Sequence, residues 1–321
     1  MSYRKVRLLD VARLAGVSEA SASAVLNEKH EGTIRVGKQT RKNVQAAARQ
    51  LGYVPNQAAR NLRQEGGGLI AVFTYEPVFP SKPTAEFHGF FSGIEQEAAK
   101  RGFDLLVIND RRRAASSRIT LAGGGIMIGI SRDDKDIRSL IRREFPLVFV
   151  GRREIAGAKT HWVTFDYDGV IQSAFGRIPR TVPGILFLAS ANDQSEPTKD
   201  KEESVTRHAQ EKGFPLCRIP FEGTLTPQAE ELVRNGWYVL LDRLWMADPV
   251  APFYRKEGID PFGFLLEDNW MGLPLAWPHW SNGREALGSL AVTHLSDLIA
   301  GREPEQDRLI PLSIETMNPR P

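Results

Sequence analysis

The chain has 321 residues, 41% of them apolar, and a formal net charge of +3. That length suits about two or three folding units of roughly 100 to 200 residues, and the absence of any run of about 18 uninterrupted apolar residues argues against a membrane span. The N-terminus carries Arg4, Lys5 and Arg7 without an apolar stretch, unlike a secretory signal, and the one cysteine, Cys217, excludes an intrachain disulfide and fits a reducing cytoplasm.

The net charge is unevenly spread. Residues 1–68 hold 12 Lys/Arg against 5 Asp/Glu, leaving 30 against 34 for the remainder. A small basic head on a mildly acidic body points to a polyanionic partner for the head alone. Within it, Leu8, Leu9, Val11, Ala12, Leu14 and Ala15 recur at helical spacing, and Gly16 stops that helix where a residue of positive φ is easiest. Ser18 is a good N-cap for a second helix, Glu19 to Leu26, with Ala22, Val25 and Leu26 facing inward. Two helices joined by so short a Gly-containing turn describe a helix-turn-helix, whose second helix enters the major groove.

A polar loop, Asn27 to Lys38, leads to a third helix from about Gln39 to Leu51, with Val44, Ala47, Ala48 and Leu51 on one face and Gly52 after its end. Arg41 and Lys42 sit in its first turn, where they oppose the helix dipole; nearby phosphates, or a solvated basic face, would account for them. Pro55 then opens a candidate helix, Asn56 to Arg63, too short to hold alone in water. Its stripe of Ala58, Ala59 and Leu62 beside Arg60 and Arg63 suits either a wedge in a minor groove or a helix packed on the body.

The order Leu9-Asp10-Val11-Ala12, Ala15-Gly16-Val17-Ser18, Val25-Leu26-Asn27, Thr40-Arg41, Leu51-Gly52-Tyr53-Val54-Pro55-Asn56 and Ala59 to Arg63 resembles the DNA-binding domain of the lactose repressor (LacI) family of bacterial transcription regulators. The resemblance implies that Ser18, Glu19, Ala20, Ser21, Ser23, Ala24, Asn27, Thr40, Arg41, Tyr53, Asn56, Ala59, Leu62 and Arg63 meet DNA. It further implies that Leu62 inserts at the centre of a palindromic operator as the hinge helices of a homodimer meet. Ala24 stands where the family often has arginine, so hydrogen bonding to bases from this helix is limited to Glu19, Ser21 and Ser23, with methyl contacts to thymine left to Ala20 and Ala24.

Gly66-Gly67-Gly68 reads as a flexible joint. Beyond it, apolar runs at Leu69–Tyr75, Phe103–Ile108, Ile126–Ile130, Leu147–Val150, Gly184–Ala189, Trp237–Asp242 and Phe262–Leu266 alternate with helical patterns at Ala85–Arg101 and Asp200–Gly213, and a further helix runs from Glu285 to Ala300. Alternation of that kind argues for an α/β body of two parallel-sheet lobes, as in the periplasmic-binding-protein-like body of the same family. The expected division is 1–64 for head and hinge helix, 65–68 for the linker, and 69–321 for the body. Lobe one would span about 69–163 and 281–306, and lobe two about 164–280 and 307–321, with Leu309–Glu315 as the last strand of lobe two.

Ligands of such bodies bind between the lobes, outside the carboxyl ends of the strands. The resemblance places an arginine where this chain has Lys201, and an aspartate two residues after Gly263, where it has Leu265. Lysine lacks the planar fork of arginine and leucine accepts no hydrogen bond, so both polar clamps are altered. Tyr75, Phe79, Arg152, Phe165, Lys201, Asp242 and Trp270 are the candidate effector contacts, for a small molecule such as a sugar. Trp270, Trp277 and Trp280 suit either packing at a lobe or dimer interface or a stacking platform for a ring. The Arg- and Ser-rich run Asn109–Thr120 reads as a surface loop.

No Gly-x-Ser-x-Gly, Walker-type loop or Cys/His metal spacing occurs, and Gly123-Gly124-Gly125 shapes a turn rather than a dinucleotide loop. Cys217 has no recognisable base partner. The sequence therefore calls for no cofactor, metal or catalytic residue. The expected function is a sequence-specific DNA-binding transcription repressor that holds a palindromic operator as a dimer and answers to a small-molecule effector in the interlobe cleft, with an effector-independent or protein-regulated DNA-binding protein of degenerate cleft as the alternative.

Overall fold

The computed structural model describes residues 6–26, 36–53, 68–75, 87–109, 118–129, 135–191, 195–270, 275–280, 283–304, 309–311 and 314–315. They belong to two units divided between Gly67 and Gly68. Asn27, the expected helix Asn56–Arg63 with Ala59 and Leu62, Phe79 and the run 110–117 lie outside the described residues.

The first unit is built from α1 (Leu8–Ala15), α2 (Glu19–Leu26) and α3 (Lys38–Leu51). Gly16 and Gly52 take the left-handed conformation, φ 67° and 62°, and donate their amides back to the last helical carbonyls, which is why the helices stop there. Val11, Ala12, Ala22, Val25, Val44, Ala47 and Ala48 form the core, with Leu26, Leu51 and Tyr53 packed against it. Four of those seven are alanines, so little apolar area is buried in this unit and single caps carry weight in its stability.

In the second unit β1 (Leu69–Thr74), β2 (Asp104–Asn109), β3 (Gly125–Ile128), β4 (Leu147–Val150), β5 (Trp162–Phe165) and β11 (Leu309–Ile310) make one sheet in the order β11-β5-β4-β3-β1-β2. A second sheet, in the order β12-β10-β9-β8-β6-β7, is built from β6 (Ile185–Ser190), β7 (Leu216–Phe221), β8 (Tyr238–Leu241), β9 (Gly263–Asp268), β10 (His279–Trp280) and β12 (Ile314–Glu315). Every pairing in the first sheet is parallel, and in the second only β10 with β12 is antiparallel. Helices cover both faces, and the strands therefore read as continuous apolar runs such as the fully buried Tyr238-Val239-Leu240-Leu241.

Two expected boundaries need correction. Leu309–Glu315 is not one strand of lobe two: Leu309–Ile310 pairs with Thr164–Phe165 in the first sheet, and only Ile314–Glu315 joins the second. Trp162–Phe165, split by the expected lobe boundary at 163/164, is wholly a strand of lobe one, lying between β11 and β4; the chain leaves it at Asp166, whose carboxylate caps α6 (Tyr167–Gly176) by accepting from the Gly169 amide at 2.9 Å. A two-residue strand carries too short a pattern for its sheet to be assigned from sequence.

The helix α4 (His88–Lys100) lies against α10 (Arg284–Ile299), with Ser289 donating to the Gly93 carbonyl at 3.1 Å and Ser92 donating to Glu285 at 3.0 Å. Gly93 and Gly288 allow this approach: a Cβ on Gly93 would lie 1.9 Å from the Glu285 carbonyl oxygen, and one on Gly288 2.3 Å from that of Phe90. The contact matters for the site below because α10 begins with Arg284.

Candidate nucleic-acid interface and interlobe cleft

On α2 the inward residues Ala22 and Val25 leave Glu19, Ala20, Ser23 and Ala24 together on the opposite side, at spacings that share one helical face. Glu19 and Ala20 are exposed, Ser23 and Ala24 half-buried. The Ser21 amide donates to Ser18 Oγ at 3.2 Å, and the two hydroxyls lie 2.9 Å apart, so Ser18 is spent as the cap of the helix. Thr40 and Arg41 stand half-buried in the first turn of α3, and Tyr53 packs on the head core. Ser18→Ala is expected to cost the head about 1 kcal/mol, seen as faster amide exchange at Val44 and Ala47 in its core; unchanged exchange would mean that Ser18 is not a working cap.

In the body, the carboxyl ends of the second sheet present Ser190-Ala191, Phe221-Glu222, Asp242-Arg243 and Glu267-Asp268 side by side. Behind them α7 (Glu196–Lys212) brings up Lys201, whose side chain is 2% exposed and lies 2.5 Å from Asp242 Oδ1, with Asp242 itself fully buried. Its ammonium also donates to the carbonyls of Asp242 at 2.7 Å and Leu266 at 3.2 Å. Burial pushes this ammonium below the usual lysine range, against the pull of Asp242. The other Asp242 oxygen accepts from the Ser190 amide at 3.2 Å. Lys201 and Asp242, both expected at the cleft, are thus brought together and spent on each other.

Leu265 is fully buried in the middle of β9, paired with Leu241, and the strand runs on to Glu267 and Asp268. Carboxylates therefore do stand at the end of this strand, later than the spacing from Gly263 suggested. Glu267 accepts from the Leu244 amide at 2.5 Å and from Arg243 at 3.4 Å, while Arg243 also donates to Thr198 at 2.8 Å and Ser195 at 3.2 Å.

Two arginines of the first lobe reach the second. Arg284 grips Asp268 with Nε at 2.9 Å and Nη2 at 2.8 Å, both side chains nearly buried, and its guanidinium lies 5.2 Å from the Phe90 ring and 5.7 Å from that of Trp270. A cation in the first turn of a helix is disfavoured by the dipole, and the bidentate carboxylate compensates it. Arg152, just beyond β4, contacts Asp200 in α7 and lies 4.0 Å from Glu196. At Asp200 burial outweighs this pairing and holds its carboxyl above the usual range. Phe90, Phe165, Tyr167 and Trp280 form a continuous ring contact, at centroid distances of 6.3, 6.0 and 5.8 Å, from the core of lobe one into that of lobe two.

The remaining candidates divide. Phe165 belongs to the core of the first lobe, and Tyr75 packs edge-on against Phe73 at 4.9 Å. Trp277 and Trp280 are buried in the two clusters on either side of the second sheet, which favours packing over a platform, whereas Trp270 lies beside Arg284. An aromatic that the sequence reading passed over is better placed: Trp245, in the single turn Leu244–Met246, is 49% exposed and leans on Phe221 at 5.6 Å. With Ser190, Ala191, Phe221 and Glu222 it lines an open hollow of about 480 Å³. Arg243, Glu267, Asp268 and Arg284 were also missed, because only the fold brings them to one edge.

A helix-turn-helix unit followed by a two-lobed α/β body with its polar residues gathered between the lobes defines a class of bacterial regulators. Residues 7–56 match the model of the bacterial regulatory proteins of the lacI family. The sucrose operon repressor of Klebsiella pneumoniae is 36% identical over 225 residues, 67% of this chain and 64% of that protein, and the HTH-type transcriptional regulator CelR of Thermobifida fusca is 31% identical over 155 residues, 46% and 44%. The lac repressor dimer bound to operator and the anti-inducer ONPF has the same fold, with a TM-score of 0.71 over 98% of both chains at 19% identity. The chain is thus similar to the lacI family over its head and, in part, over its body. Its alignments span 44%, 32% and 64% of the first three curated relatives, all of them named as regulators or repressors.

Proposed function

We propose that the chain is a sequence-specific DNA-binding transcription regulator, acting as a repressor, and not an enzyme. Two copies would hold a palindromic operator, since two-fold protein symmetry matches a palindrome. The observation that carries this reading is α2, which buries Ala22 and Val25 and turns Glu19, Ala20, Ser23 and Ala24 outward within a segment that matches the family model. With three of those four side chains short and two of them alanine, base reading rests on few hydrogen bonds and on methyl contacts. Arg41 would serve phosphates. Asn27, Asn56, Ala59, Leu62 and Arg63 complete the proposed DNA contacts on the strength of the sequence.

A small molecule between the lobes would act by favouring one arrangement of Arg284–Asp268 and Arg152–Asp200 over another, since a ligand shifts an equilibrium only by its differential affinity. A transcriptional regulator CelR of similar fold has been solved as a cellobiose complex, and a sugar is one candidate. The engagement of Lys201 by Asp242 and two carbonyls favours a second reading, in which the body works without an effector. Selection from a pool of randomised duplexes tests the DNA-binding proposal: an inverted repeat should be enriched, and recovery of unrelated sequences would refute it.

A further inference from the structure

The four cations ordered at the facing edges of the lobes, Arg152, Lys201, Arg243 and Arg284, each have a carboxylate of this chain as partner: Asp200, Asp242, Glu267 and Asp268. A ligand that relied on them would have to displace a pair that is already made. Glu222 differs. It is exposed at the end of β7, forms no ion pair among the described residues, and stands in the hollow beside the open face of Trp245. That face is backed by Phe221, which is 2% exposed and holds the indole at 5.6 Å and 38°.

The described lining holds one carboxylate, one hydroxyl, two aromatic rings and no cationic side chain. An anionic ligand would meet Glu222 with nothing to balance it. A neutral polyol could donate to Glu222 but would leave that charge unbalanced, and would find one side-chain donor, Ser190, whose amide is already given to Asp242. An organic cation with an apolar body satisfies both halves of the lining, its charge against the carboxylate and its alkyl groups on the electron-rich face of the indole, the side chain that attracts cations best. The volume of about 480 Å³ is that of a small-molecule site.

We propose that Trp245, Phe221, Glu222 and Ser190 form a binding site for an organic ammonium ligand, and that this is the effector class of the body. The inference rests on the effector-responsive reading given above. Trp245 supplies the face, Phe221 fixes its tilt, and Glu222 supplies the charge.

Calorimetric titration of the full chain with benzyltrimethylammonium chloride, and separately with cellobiose, tests it. The cation should bind, Glu222→Gln and Trp245→Leu should each weaken it by about tenfold, and Trp245→Phe should retain part of the affinity. Both residues are exposed, so the variants should melt as the parent does. Absence of heat with the cation, affinity unchanged in both variants, or cellobiose binding as tightly as the cation would each overturn the proposal. Operator binding measured without any added ligand distinguishes these failures from failure of the DNA-binding reading, which they leave intact.

Discussion

Lys201→Met is expected to destabilise the body by about 3–5 kcal/mol, the usual cost of stranding one member of a buried ion pair. The side chain fits the same channel, so the loss comes from Asp242, which stays fully buried in the low-dielectric interior with only Arg243, at 3.9 Å, as a cation nearby. Two carbonyl oxygens, of Asp242 and Leu266, lose their donor at the same time. Pairing the change with Asp242→Asn should recover much of the loss, because the uncompensated charge is then gone. Urea denaturation measures both. A loss below about 1 kcal/mol for the single variant would mean that water reaches Asp242 and that the pair is a surface one.

Gly93→Ala is the second large effect, expected to cost about 3 kcal/mol. A Cβ placed 1.9 Å from the Glu285 carbonyl oxygen meets backbone, and helix α10 must move away from α4 to admit it. The displacement starts at the turn that carries Arg284, so the grip on Asp268 should loosen as well. Gly288→Ala, whose Cβ would meet the Phe90 carbonyl at 2.3 Å, should behave alike, whereas Ser92→Ala removes two exposed hydrogen bonds, to Glu285 and from Gln96, and should cost little. Equal melting temperatures for Gly93→Ala and Ser92→Ala would contradict the close packing of the two helices.

What could be read from the sequence was local. Gly16 and Gly52 end helices because their left-handed conformation follows from having no side chain, and Ser18 caps because its oxygen reaches an amide three residues on. The strands of the body announce themselves by apolar runs that need no knowledge of their neighbours. The interlobe pairs are different: Arg284 meets Asp268 only because the chain has crossed back into the first lobe before α10 begins. Lys201 was picked out by position in the family pattern, yet its partners come from the packing of α7 behind β8 and β9. Spacing counted from Gly263 pointed to Leu265, which the sheet register places inside the core, while the carboxylates at the end of the strand went unread. Trp245 lay in a stretch without periodicity, and its exposure is a property of the fold.

The central claim is that the head reads a particular DNA sequence. Competition binding at one fixed salt concentration, with the duplex recovered by selection against random duplex, tests it most directly, because phosphate contacts alone bind both equally and weaken together as salt is raised. The account predicts that the selected palindrome is held about a thousandfold or more tighter than random DNA. Equal affinities for the two duplexes would contradict it.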